Sequence, residues 1–116
     1  MILAIDRNKQ NLELLEKFLG KEGYRVIATS NLEEFEHNLM EQKDIKLVLI
    51  DISGLDITIW NYCEKIRLKG IPMLIISPRQ STALQRESFS RGARGVLVKP
   101  LVINELLAII KGLTGE

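Results

Sequence analysis

Lys46-Leu47-Val48-Leu49-Ile50-Asp51 is the stretch whose reading decides the fold. Four apolar residues follow one another with no polar alternation, the pattern of a strand covered on both faces, as strands of a parallel sheet are. The run then ends on a carboxylate. Working outward, Ile71–Ile76 repeats the pattern and ends before Ser77. Ile2–Ile5 and Gly95–Val98 are shorter versions, ending before Asp6 and Lys99, and Tyr24–Thr29 is a fifth candidate strand.

Helical patterns separate these runs. Leu12, Leu15, Phe18 and Leu19 form one apolar stripe, with Asn8 as N-cap and Gly20 or Gly23 as the stop. Ser30 with Glu33 fits a capping box ahead of Leu32, Phe35, Leu39 and Met40. Trp60, Cys63, Ile66 and Arg67 mark a third helix, stopped by Gly70 and Pro72. Residues 80–91 form a fourth with Ala83, Leu84 and Phe89 inward, and Glu105 to Leu113 a fifth, with Asn104 as a cap. Five βα units in succession predict an α/β fold: a five-stranded parallel sheet, doubly wound and flavodoxin-like, in strand order 2-1-3-4-5.

Composition narrows the function. A chain of 116 residues is one domain's worth, so residues 1–116 are expected to form a single domain with no output domain attached. The formal charge of +1 gives no bulk field for nucleic acid or an anionic membrane. Charge is uneven locally: Glu33, Glu34, Glu36, Glu41 and Asp44 cluster in one segment, Arg79, Arg86, Arg91 and Arg94 in another. Solvated helix faces account for both, and a basic docking face is the alternative for the second. One cysteine, Cys63, and one histidine, His37, exclude an internal disulfide and a Cys/His zinc set. His37 lies in the acidic helical stretch, away from any nucleophile. No signal peptide and no apolar run of membrane-spanning length is present, so the cytoplasm is the expected compartment.

In a doubly wound sheet the ligand crevice lies beyond the carboxyl ends of the strands, at the switch point between the first and third. Asp6, Asp51, Ser77 and Lys99 all sit at those ends. Taken singly, Asp6 reads as a helix cap, Asp51 as a strand terminator, Ser77-Pro78 as a turn and Lys99 as a solvated lysine. Taken together they describe a phosphoryl-transfer site. Paired carboxylates favour a hard cation such as Mg²⁺. A carboxylate can attack phosphorus to give an aspartyl phosphate, and an ammonium and a hydroxyl stabilise the equatorial oxygens.

At these residues the chain resembles a response-regulator receiver domain of two-component signalling, from Ile2 to about Leu113. Ile2-Leu3-Ala4-Ile5-Asp6, Asn11-Leu12-Glu13-Leu14-Leu15, Leu47–Asp51 with Ile52, Leu74-Ile75-Ile76-Ser77 and Gly92–Pro100 carry the resemblance. It implies a phosphoprotein acting as a signalling module rather than an enzyme. Asp51 would be the phosphoacceptor, assisted by Ser77 and Lys99. Mg²⁺ would be held by Asp6, Asp51 and the Ser53 backbone carbonyl. A histidine kinase or phosphotransfer protein would be the donor in a phosphorelay. A downstream protein, or a second copy as a homodimer, would be read out through the fourth helix, fifth strand and fifth helix.

Four positions depart from the family. Arg7 stands where a second, metal-binding acid is usual, which weakens Mg²⁺ binding. Its guanidinium either pairs with Asp51 or swings into solvent. Leu55 replaces a customary proline, Pro78 a small residue after the Ser/Thr, and Val96 the aromatic that toggles on activation. Arg7, Pro78 and Val96 support an alternative, an atypical receiver that binds partners without phosphorylation. A nucleotide-binding or flavodoxin-like enzyme is the third class, opposed by the lack of a G-x-G-x-x-G or Walker loop after the first strand.

Overall fold

The computed structural model describes residues 1–115. Its strands are β1 (Ile2–Ile5), β2 (Val26–Thr29), β3 (Leu47–Asp51), β4 (Met73–Ser77) and β5 (Gly95–Val98). The helices are α1 (Lys9–Lys21), α2 (Leu32–Glu41), α3 (Ile59–Leu68), α4 (Thr82–Ser90) and α5 (Ile103–Thr114). All strand pairs are parallel, and the order is β2-β1-β3-β4-β5. The predicted topology holds. It brings β1 and β3 side by side, pairing Ile5 with Ile50, so their carboxyl ends adjoin.

Side-chain alternation splits the core in two. Leu3, Ile5, Val48, Ile50, Met73 and Ile75 face one side, where Phe35 and Leu39 of α2 and Cys63 and Ile66 of α3 cover them. Ile2, Ala4, Leu47, Leu49 and Leu74 face the other, under Leu12 and Leu19 of α1 and Leu106 and Ile110 of α5. Every residue of β3 is buried, as its unbroken apolar run requires. No helix is long and apolar enough to cross a membrane among the described residues.

Several local expectations change. The cap of α2 is Asn31, not Ser30: its Oδ1 accepts from the Glu34 N–H at 2.8 Å, and Ser30 Oγ instead donates to the Glu34 carboxylate. The box is shifted by one residue because Asn31 is the last residue in extended conformation. Asn104 lies inside the first turn of α5, whose N-cap is Val102 without a side-chain bond. In α4 the buried residue is Ser88; Ala83 is exposed and Phe89 is 53% exposed. Ser88 Oγ donates to the Leu84 carbonyl at 2.8 Å, so a small hydroxyl can occupy the buried turn that apolar content alone assigned to Phe89. Phe18 and Met40 are likewise exposed, and in α3 the buried positions are Ile59, Cys63 and Ile66, with Arg67 in solvent. Asn8 caps α1 as expected, accepting from the Asn11 N–H at 3.1 Å. Gly20 is inside that helix, and Gly23, at φ 89°, follows its end. Asp51 and Ser77 end their strands as expected.

Phe35 and Phe89 give a direct check. Phe35 is fully buried between α2 and the sheet, so Phe35→Ala is expected to cost about 3–5 kcal/mol of unfolding free energy. Phe89→Ala is expected to stay within about 0.5 kcal/mol, both measured by urea denaturation.

Candidate functional site

The carboxyl edge of the sheet gathers the predicted residues. Asp6 follows β1, Asp51 closes β3, Ser77 closes β4 and Lys99 follows β5. Backbone bonds lock these ends in register: Asp6 N–H donates to Thr29 at 3.1 Å, Ile52 N–H to Ile76 at 3.1 Å and Lys99 N–H to Ser77 at 2.9 Å. The Lys99-Pro100 peptide is cis.

Asp51 is the centre of the site. It is 2% exposed, and both its carboxylate oxygens are engaged. Oδ1 accepts from the Ser53 N–H at 2.9 Å, and Oδ2 is ion-paired with the Lys99 ammonium. A buried carboxylate needs such partners, because an unpaired charge away from water is expensive. Lys99 reaches it with its side chain still 28% exposed, so the ammonium faces the crevice mouth.

Asp6 is buried beside Asp51, with Oδ1 accepting from the Asn8 N–H at 2.9 Å. Burial pushes its carboxyl above the ordinary carboxylate range. The Asn8 N–H pulls it down, the Asp51 carboxylate raises it further, and the Lys99 ammonium lowers it. Asp6 is therefore both a member of the site and the cap of the turn that leads into α1.

Arg7 is exposed and does not pair with Asp51. It does not hang free in solvent either. Its Nη1 donates to the Gly54 carbonyl in the loop joining β3 to α3. Ser77, although at the predicted place, gives its hydroxyl hydrogen to the Arg79 carbonyl at 2.6 Å and accepts from the Arg79 N–H at 3.3 Å. The hydroxyl closes its own turn instead of pointing its proton at Asp51. The buried Ser53 Oγ has no hydrogen-bond partner among the described residues.

Two participants carry no polar sequence signal. One is the Gly54 carbonyl, a backbone atom. The other is a cleft of about 560 Å³ that opens from Asp6, Asp51 and Lys99 between α1 and the start of α5. Leu14, Phe18, Leu101 and Ile103 wall it, with Leu14 and Phe18 exposed. Cys63 belongs to the core; burial raises its thiol pKa to about 11, so it is inert at neutral pH.

The raised pKa of Asp6 fixes a sign. A carboxyl whose folded pKa exceeds its unfolded value stabilises the fold only while protonated, below the unfolded value of 3.8, and that stabilisation is lost as pH rises through the folded pKa. Asp6→Asn is therefore expected to be more stable than the natural chain at pH 7. The gain should shrink as the pH falls toward the unfolded pKa, as read by thermal unfolding across pH.

Comparison with known proteins agrees with this geometry. The response regulator receiver domain profile matches residues 2–111. The transcriptional regulatory protein GltR of Pseudomonas aeruginosa is 30% identical, covering 97% of this chain and 48% of its own length. Response regulator MprA of Mycobacterium leprae is 29% identical, over 97% of this chain and 50% of its own. The chain thus spans about half the length of these curated relatives. A two-component response regulator from Clostridium difficile superposes with a TM-score of 0.86 at 27% identity, over 97% of this chain and 93% of that one. An orphan response regulator of H. pylori does so at 0.81 and 26%, over 97% and 94%. With the strand order, the strand-end residues and the matched span in agreement, the chain belongs to the response regulator receiver domain family.

Proposed function

We propose that Asp51 accepts a phosphoryl group from a phosphohistidine on a histidine kinase or phosphotransfer protein, in the cytoplasm. The observation that carries this reading is the buried Asp51 carboxylate held between the Ser53 N–H and the Lys99 ammonium. An Asp51 oxygen attacks phosphorus in line, forming a P–O bond while the P–N bond to the donor imidazole breaks. The imidazole leaves with the electron pair. Lys99 then shifts from the carboxylate to a phosphoryl oxygen, and Ser77 assists once its hydroxyl releases the Arg79 carbonyl. The apolar cleft beside α1 offers the donor a docking surface that leads to Asp51.

Asp6, Asp51 and the Ser53 carbonyl are the oxygens that would hold Mg²⁺. They fit a hard cation in kind, but no set of three or more acidic, His or Cys side chains gathers there among the described residues. When bound, Mg²⁺ supplies charge compensation on the phosphoryl oxygens.

Signal output would pass through the face of α4, β5 and α5 to an acidic protein partner or a second copy, without contact to nucleic acid or membrane. Arg79, Arg86 and Arg94 are exposed there, and Arg91 is paired with Glu87 at 3.0 Å. A second reading, a phosphorylation-independent interaction module, draws support from the Ser77 proton given to the Arg79 carbonyl and from Arg7 on Gly54.

Incubation with Mg²⁺ and a small phosphodonor, read by intact mass, is expected to add one phosphoryl group to the natural chain and none to Asp51→Ala. No adduct under conditions that label an ordinary receiver would favour the second reading. The double variant Arg86→Glu, Arg91→Glu is expected to weaken binding of an acidic partner by ten-fold or more, about 1.4 kcal/mol, measured by titration calorimetry.

A further inference from the structure

Two loops meet over the Asp51 site. One leaves β1 through Asp6 and Arg7, and the other leaves β3 through Ser53 and Gly54. The second is fastened at successive residues: the Ser53 N–H binds Asp51 Oδ1, and the Gly54 carbonyl accepts from Arg7 Nη1. The latter bond joins residues 47 positions apart and is the side-chain tie between the two loops among the described residues. The arginine stem follows the loop closely, since a Cβ placed on Gly54 would lie 3.5 Å from Arg7 Cδ and 3.7 Å from Nη1. Gly54 has φ 70°, so its carbonyl is aimed by a left-handed turn that other residues adopt at a cost.

Charge follows the same pattern. Asp6 and Asp51 bring two formal negative charges, and Lys99 and Arg7 return two positive ones. Formal charges that already cancel leave less attraction for a dication. Hard cations are held by anionic oxygens and loop carbonyls together. Here a permanently charged side chain already holds the Gly54 carbonyl, next along the loop from the Ser53 carbonyl assigned to the cation.

We propose that Arg7 is a tethered cation: it bridges the β1–α1 and β3–α3 loops and balances the two carboxylates in place of a divalent ion, leaving the site with weak Mg²⁺ affinity. The inference deepens the receiver reading, on which it rests for the purpose of the site.

The test compares the natural chain with Arg7→Gln and Arg7→Asp, all confirmed folded by circular dichroism. Mg²⁺ is titrated by the fluorescence of Trp60, which lines the same cleft as Ser53 and Gly54. Arg7→Asp is expected to bind Mg²⁺ at least about ten-fold more tightly than the natural chain, with Arg7→Gln between them. Equal affinities across the three would overturn the proposal. Amide exchange at Leu55, whose N–H donates to Ile52 at 3.2 Å, reads the bridge without metal. It is expected to speed up about ten-fold in Arg7→Gln, and in Arg7→Asp to return to the natural rate only when Mg²⁺ is added. Unchanged exchange in Arg7→Gln would overturn it equally. Neither readout requires phosphorylation. A chain that passes both yet never labels at Asp51 would retain the tethered cation and lose the phosphoacceptor reading, and the reverse pattern would lose only the tether.

Discussion

Strand β3 is covered on both faces, and that constraint organises the rest of the molecule. Leu47 and Leu49 are buried against α1 and α5, and Val48 and Ile50 against α2 and α3. No residue within the strand can reach water, so its chemistry is confined to the carboxyl end, where Asp51 closes it. Because β1 and β4 flank β3, the ends carrying Asp6 and Ser77 are drawn to the same edge. Lys99 arrives from β5 by reaching across the end of β4, with its own N–H fastened to Ser77.

The electrostatics of this edge are balanced but strained. Asp51 is satisfied by a cation and a backbone N–H, whereas Asp6 is buried beside a like charge and held above its ordinary pKa. Keeping two carboxylates together in a low-dielectric crevice costs stability that a purely structural turn would not spend. Arg7 stands on the rim of this edge, where its guanidinium holds the Gly54 carbonyl.

Legibility in the sequence differed by level. The strands could be read because apolar runs of four or five residues bounded by turn residues have few other interpretations, and the order followed from right-handed crossovers. Asp6, Asp51 and Lys99 could be located because a polar residue ending such a run must lie at the sheet edge. Local choices were harder. Ser30 and Asn31 are both good caps, and only the backbone conformation selects Asn31. Phe89 looked like core by size, but the short α4 turns its Ser88 inward.

What the sequence determined by itself was the fold, the strand order and the identity of the residues at the site, because these rest on periodicity and on position along the chain. What only the tertiary structure decided was where side chains point and what they bond. Ser77 is in place, yet its hydroxyl serves Arg79; Arg7, although exposed, does not pair with Asp51 but holds Gly54. The physical reason is that these partners are backbone carbonyls. Every residue carries one, so no pattern of residue types marks which carbonyl a side chain will find, and only the loop geometry brings the two together.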